Sequence, residues 1–199
     1  MEWLIFLVIV GGFILLAAIF GRGTDTTRDK LCAGLRAMGV GAWMAERGRP
    51  EEKTGKGSLG VIDIGQGPIR WVNVREVGDS ENTAYMTEYG VPDQRHLPQL
   101  QIRSVRVKTF PVFGRVIDVR WKGNDLGLGI AQRLSNDESI RGAIMGTRDE
   151  VTVQACSYLG CWLIVRDTEA APSQEQLGCY QAIAENLLVQ RLPGPQGIS

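Results

Sequence analysis

The first pattern along the chain is an apolar run without alternation. Residues 3–20 (WLIFLVIVGGFILLAAIF) carry no charge. A helix of about 18 residues rises roughly 27 Å, close to the hydrocarbon thickness of a bilayer. The run predicts a transmembrane anchor over residues 1–21. A cleaved signal peptide fits less well, because only Met1 and Glu2 precede the apolar core and Leu16-Ala17-Ala18 is a poor cleavage site. Beyond Gly21 the spacing turns helical. Leu31, Leu35, Met38 and Ala42 recur behind the capping side chains of Thr24 to Thr27, which predicts a juxtamembrane amphipathic helix within residues 22–45. Residues 46–58 (ERGRPEEKTGKGS) hold no apolar side chain and are broken by Pro50, Gly55 and Gly57, the composition of a flexible, solvated linker.

From Leu59 the apolar positions recur with a period near two, which predicts strands at Leu59–Ile64, Ile69–Val77, Thr83–Val91, Leu100–Phe110, Phe113–Trp121 and Leu126–Leu134. Ser135-Asn136-Asp137-Glu138 has the form of a capping box leading into a short helix with Ile140 and Ile144. A hairpin of Val151–Ser157 and Cys161–Asp167 follows, and its second strand (CWLIVRD) is apolar on both faces, as a central strand is. Ser173 opens the strongest helix, whose Leu177, Tyr180, Ile183, Ala184, Leu187 and Leu188 share one face. The C-terminal half reads ββαββα. The natural solution for that order is an α+β domain over residues 59–192, with helices on one face of a mostly antiparallel sheet and a frayed tail over 193–199.

Charge changes this picture mainly through its placement. The 199 residues hold 22 Lys and Arg against 22 Asp and Glu, so bulk charge does not suit a polyanion binder. Arg22, Arg28, Lys30 and Arg36 all follow the apolar run and none precedes it, which by the positive-inside rule places the N-terminus outside and the body in the cytoplasm, at the inner membrane. Gly11-Gly12 in the span could let a partner helix approach closely, although no second small residue stands four positions from either to complete a small-xxx-small face, and flexibility or chance accounts for them as well. Arg103, Arg106, Lys108, Arg115, Arg120 and Lys122 make a modest basic cluster. It has neither an aromatic platform nor a recognition helix, so no nucleic acid is expected; a sheet face turned to anionic lipid accounts for it equally.

Candidate chemistry is sparse. His96 is the one histidine and falls in a Pro- and Asp-containing loop, with no Gly-x-Ser-x-Gly nucleophile elbow in the chain; no catalytic residue is assigned. Cys156 and Cys161 have the short spacing of a zinc pair, but they fall inside apolar strands and Cys179 has no paired neighbour, so no metal is expected and buried free thiols are. Cys156 and Cys161 could face each other across their hairpin as a disulfide, against which stands a reducing cytoplasm. Cys32 lies near enough to the bilayer for S-acylation, although a cysteine on an apolar stripe usually packs.

One segment looks like a ligand motif: Val61-Ile62-Asp63-Ile64-Gly65-Gln66-Gly67, followed by a second strand. It resembles the first phosphate loop of the actin, heat-shock chaperone and sugar-kinase superfamily, in which a strand ends in Asp-x-Gly-x-Gly. The resemblance is confined to residues 61–74 and implies that Asp63, Gly65 and Gly67 would approach a nucleotide phosphate. A tight hairpin turn requires the same glycines, and no bound cofactor is otherwise expected. The function expected from the whole is a non-catalytic interaction or assembly subunit, tethered through residues 3–20 and bound to a membrane-protein partner or to itself. The alternative is a tethered ligand-sensing or hydrolytic domain, and a pocket with converging polar groups would favour it.

Overall fold

Period-two alternation becomes strands, and the strands assemble into one sheet. In chain order they are β1 (Ala42–Met44), β2 (Ser58–Ile64), β3 (Trp71–Gly78), β4 (Thr83–Pro92), β5 (Gln101–Lys108), β6 (Val116–Gly123), β7 (Val151–Cys156) and β8 (Cys161–Arg166). The helices are α1 (residues 27–37), α2 (Leu128–Asn136), α3 (Glu138–Gly146) and α4 (Gln174–Val189). These elements come from a computed structural model that describes residues 27–78, 83–108, 115–147 and 150–189. Every strand pairing is antiparallel, in the order β1-β2-β3-β4-β8-β7-β5-β6. The fold is α+β, as expected. Strand β8 lies between β4 and β7 and all six of its residues are buried, which is what its two-sided apolar sequence requires.

Register decides where the core forms. Ile62, Val72, Tyr89, Ile164, Val153 and Ile102 stand opposite one another across six strands and are all buried. This row meets Leu31 and Leu35 of α1, Ile130 and Leu134 of α2, Ile140 and Ile144 of α3, and Tyr180, Ile183 and Leu187 of α4 in the main core. Helix α4 begins with a reciprocal capping box: the Ser173 hydroxyl accepts from the Gln176 N–H at 3.1 Å, and the Gln176 side chain accepts from the Ser173 N–H at 2.7 Å. Leu188, expected on the same stripe, is instead 37% exposed at the edge of the contact.

Four sequence expectations need correction. Leu126–Leu134 is not a strand. The Asn124 side chain accepts from the Gly127 N–H at 3.1 Å and starts a 3-10 turn at Asp125–Gly127 that runs into α2. Ile130, Ala131 and Leu134 are then buried at helical spacing while Leu126 and Leu128 stay exposed, and the C-terminal half runs ββααββα. The cap of α3 is Asp137, which accepts from the Ile140 N–H at 3.0 Å; the Ser135 hydroxyl serves Ala131 and Trp121 instead.

The other two corrections concern residues 22–58. The helix ends at residue 37 in a Schellman turn: Gly39, at φ +80, donates to Arg36 and Val40 donates to Leu35. Leu31, Cys32 and Leu35 are fully inside the main core, and β1 pairs with β2; the sheet therefore begins at Ala42 and not near Leu59. The expected linker contains a 3-10 turn at Pro50–Thr54, held down by hydrogen bonds rather than by apolar burial. The expected anchor over 1–21 and tail over 193–199 lie outside the described residues. Among the described residues no helix is long and apolar enough to cross a membrane.

Candidate functional site

Because side chains alternate, every residue between two core positions points to the sheet face opposite the α-helices. On that face one row runs Trp43, Asp63, Trp71, Gly90 and Leu163 across β1, β2, β3, β4 and β8. An aspartate thus stands between two tryptophans, at the 4.5–5.5 Å or so that separates directly opposed Cβ atoms. Two glycines make the row possible. A methyl group at Gly90 would sit 2.0 Å from Trp71 Cε2, and one at Gly65 would sit 2.9 Å from Trp43 Cζ3; each indole lies across bare backbone.

The next row carries Val61, Asn73, Glu88 and Val165. Asn73 and Glu88 are both fully buried. Glu88 accepts from Arg75 Nε at 2.8 Å, from Asn73 Nδ2 at 3.2 Å and from the Thr54 hydroxyl. Asn73 also donates to the Glu51 carbonyl at 3.1 Å and accepts from the Ser58 hydroxyl at 2.7 Å. This satisfied polar network clamps the Pro50–Thr54 turn to the sheet, which delivers Arg49 and Glu51 to the Trp43–Trp71 row.

Arg49 joins the two carboxylates there. Its NH2 lies 2.5 Å from Glu51 Oε1, its Nε 3.1 Å from Glu51 Oε2, and its NH1 2.5 Å from Asp63 Oδ1. The forked hydrogen bond to Arg49 holds the Glu51 carboxyl below the usual carboxylate range, against the opposing effect of burial. The same bond to Glu51, joined by the one to Asp63, raises the Arg49 guanidinium above its ordinary value. A groove of about 440 Å³ opens beside this triad, closed at its other side by Arg70, Pro92, Leu159 and Cys161. Arg70 is exposed. Burial first, then the neighbouring Cys156, pushes the Cys161 thiol well up, so at neutral pH it is a neutral wall and not a thiolate nucleophile. Arg70, which forms no ion pair among the described residues, offsets the triad's net charge of −1, so the lining balances near zero charge beside the half-exposed Trp43 indole.

Comparison with known protein families, with characterised proteins and with solved structures finds no match.

Of the phosphate-loop residues, Asp63 and Gly65 line this groove and Gly67 does not. The Asp63 carboxylate is taken by Arg49, the Gly65 N–H donates to the Gly41 carbonyl at 2.8 Å, and Gly67 holds the turn at φ +83. His96 is exposed in its loop, away from the groove lining. The four cysteines are free and buried, Cys32 in the main core. Cys156 and Cys161 are opposed across the β7–β8 hairpin. Among the described residues no cluster of three or more His, Cys, Asp or Glu could hold a metal ion. Trp43, Arg49, Glu51, Arg70 and Trp71 are not singled out by the sequence. The one signal available was the Asp63–Trp71 pairing implied by the Gly65–Gly67 turn.

Proposed function

We propose that the chain is a non-catalytic, membrane-tethered binding domain whose groove takes a small organic anion with a flat apolar body. The observation that carries this reading is the Trp43–Asp63–Trp71 row with Arg70 beside it. The exposed Trp43 indole holds a flat ring, an exposed guanidinium takes the carboxylate or phosphate, and the Arg49 triad offers oriented polar edges. The test is a thermal-shift panel on the full chain in detergent, spanning aromatic carboxylates, sugar phosphates and nucleotides with Mg²⁺. At least one class raises the midpoint of the native chain, and Arg70→Gln and Trp43→Ala each remove the rise. If no class shifts the native midpoint, or if the shift survives both substitutions, the groove is not the site.

Tethering enters through residues 3–20 and orientation through Arg22, Arg28, Lys30 and Arg36. With the native cysteines buried, Lys53→Cys supplies an exposed thiol on the body. A membrane-impermeant maleimide applied to intact cells leaves it unlabelled if the body is inside; labelling reverses the orientation. A second reading, docking of a membrane-protein partner, draws on the exposed Leu126 and Leu128 at the start of α2. Leu128→Ser would weaken capture of such a partner without touching the groove.

A further inference from the structure

Beyond β7 the face opposite the helices becomes basic. The row through Val165 continues as Thr152, Arg103 and Lys122 over β7, β5 and β6. Arg103 and Lys122 are directly opposed, both are exposed, and neither is joined to a carboxylate among the described residues. Arg120 lies two residues from Lys122 on the same face of β6 and is 3.4 Å from Asp118. The sequence cluster of basic residues is thereby divided, since Arg106 turns to the helix side and donates to the Thr147 carbonyl.

Like charges directly opposed on a sheet repel, and opposite charges are the stabilising arrangement at such a position. A lysine on an edge strand has an ordinary explanation, because it discourages edge-to-edge association. That explains Lys122 on the edge strand β6. It does not explain Arg103, which stands on the inner strand β5 between β7 and β6. The pair overlooks a concavity of about 440 Å³ that Gln101 also lines. We propose that Arg103 and Lys122, with Gln101 at the rim, form a binding site for a phosphate-type oxyanion, separate from the tryptophan groove. The bound anion would supply the negative charge that the sheet leaves out: a guanidinium fork and an ammonium converge on it, and their mutual repulsion turns into shared attraction. Such an oxyanion reaches the site either as a free phosphate or as the headgroup of an anionic phospholipid.

Hydrogen exchange of the full chain tests this. In detergent, inorganic phosphate and pyrophosphate are titrated while exchange is followed in residues 101–105 and 119–123. In the lipid arm the chain is placed in nanodiscs of phosphatidylcholine, with or without phosphatidylglycerol. Protection by free phosphate identifies a soluble ligand. Protection that appears only with phosphatidylglycerol identifies the headgroup. In either case Arg103→Gln weakens the apparent affinity by about tenfold or more, the loss of one charge-assisted hydrogen bond. Lys122→Glu serves as the folding control, because it converts the repelling pair into a cross-strand ion pair; its thermal midpoint is no lower than the native one and its anion response is abolished. Two results overturn the proposal: exchange that neither phosphate nor phosphatidylglycerol alters, or an anion response that persists in folded Lys122→Glu.

Discussion

At the scale of single residues, the groove depends on a missing side chain as much as on those present. Trp71 is 4% exposed because Gly90 leaves its ring a place to lie. Gly90→Ala must displace that ring, and overpacking of this kind costs about 1–3 kcal/mol; chemical denaturation reads the loss, and a red shift of tryptophan emission reports the ring moving toward water. Glu88 gives a second prediction. Glu88→Gln keeps the shape but leaves Arg75, 14% exposed, without its anion, so a loss of about 1–3 kcal/mol is expected. An unchanged midpoint would mean that the network is not what clamps the Pro50–Thr54 turn. Asp63 was visible in the sequence because it ends an alternating strand before a glycine turn. Arg49 and Glu51 were not visible, because polar residues punctuated by Pro and Gly look alike whether water or a buried network satisfies them. The opposition of Trp71 and Gly90 is a matter of register, which periodicity alone leaves open.

At the scale of elements, one tie between sheet and helix is polar. Asp93 follows β4 and is 6% exposed. Its carboxylate accepts from Trp162 Nε1 of β8 at 2.8 Å and from the backbone N–H and the guanidinium of Arg95, and Arg95 in turn donates to the Leu187 carbonyl near the end of α4 at 2.9 Å. A cation at a helix C-terminus is favoured in its own right. Burial pushes the Asp93 carboxyl up, but the bonds from Arg95 and Trp162 outweigh it and leave the group below its ordinary value. A carboxyl lowered on folding adds stability above its unfolded pKa of about 4, and that stability is lost as pH falls through the lower folded value. Native stability should therefore exceed that of Asp93→Asn near neutrality, by a margin that narrows as pH falls below about 4; a constant margin would deny the charge its part. The apolar side of the same helix was legible from spacing. Ile183 and Leu187 are fully buried, so either change to Ala should cost about 2–5 kcal/mol, and a cost below about 0.5 kcal/mol would mark the stripe as a partner surface instead. Leu126, Leu128 and Ile130 alternate like a strand, whereas the Asn124 cap on the Gly127 N–H three residues on decides for helix α2.

At the scale of the molecule, the question is how much chain makes one folding unit. The sequence places a boundary near Leu59, since nothing in residues 46–58 asks to be buried. The structure joins the two sides of that boundary in two ways. Leu31, Cys32 and Leu35 of α1 are at 1%, 0% and 0% exposure within the main core, and β1 covers the outer edge of β2. Removing residues 1–57 would open an apolar hole in the main core and bare the edge of β2, which is rich in Val and Ile, to other chains. Three buried side chains at about 2–5 kcal/mol each are of the order of a domain's whole stability, about 5–15 kcal/mol. A chain beginning at Ser58 should therefore aggregate or show no cooperative transition, whereas one beginning at Gly23 should stay monomeric and unfold in a single step by circular dichroism and fluorescence together. If the Ser58 chain is monomeric and cooperative, α1 and β1 are accessories to the domain. If it fails as expected, the segment after the apolar run is structural, and an anchor at residues 3–20 would leave six residues before the first described residue of α1. At no more than about 3.6 Å per residue, those six residues reach at most roughly 20 Å, which would keep the first described turn of α1 near the lipid headgroups.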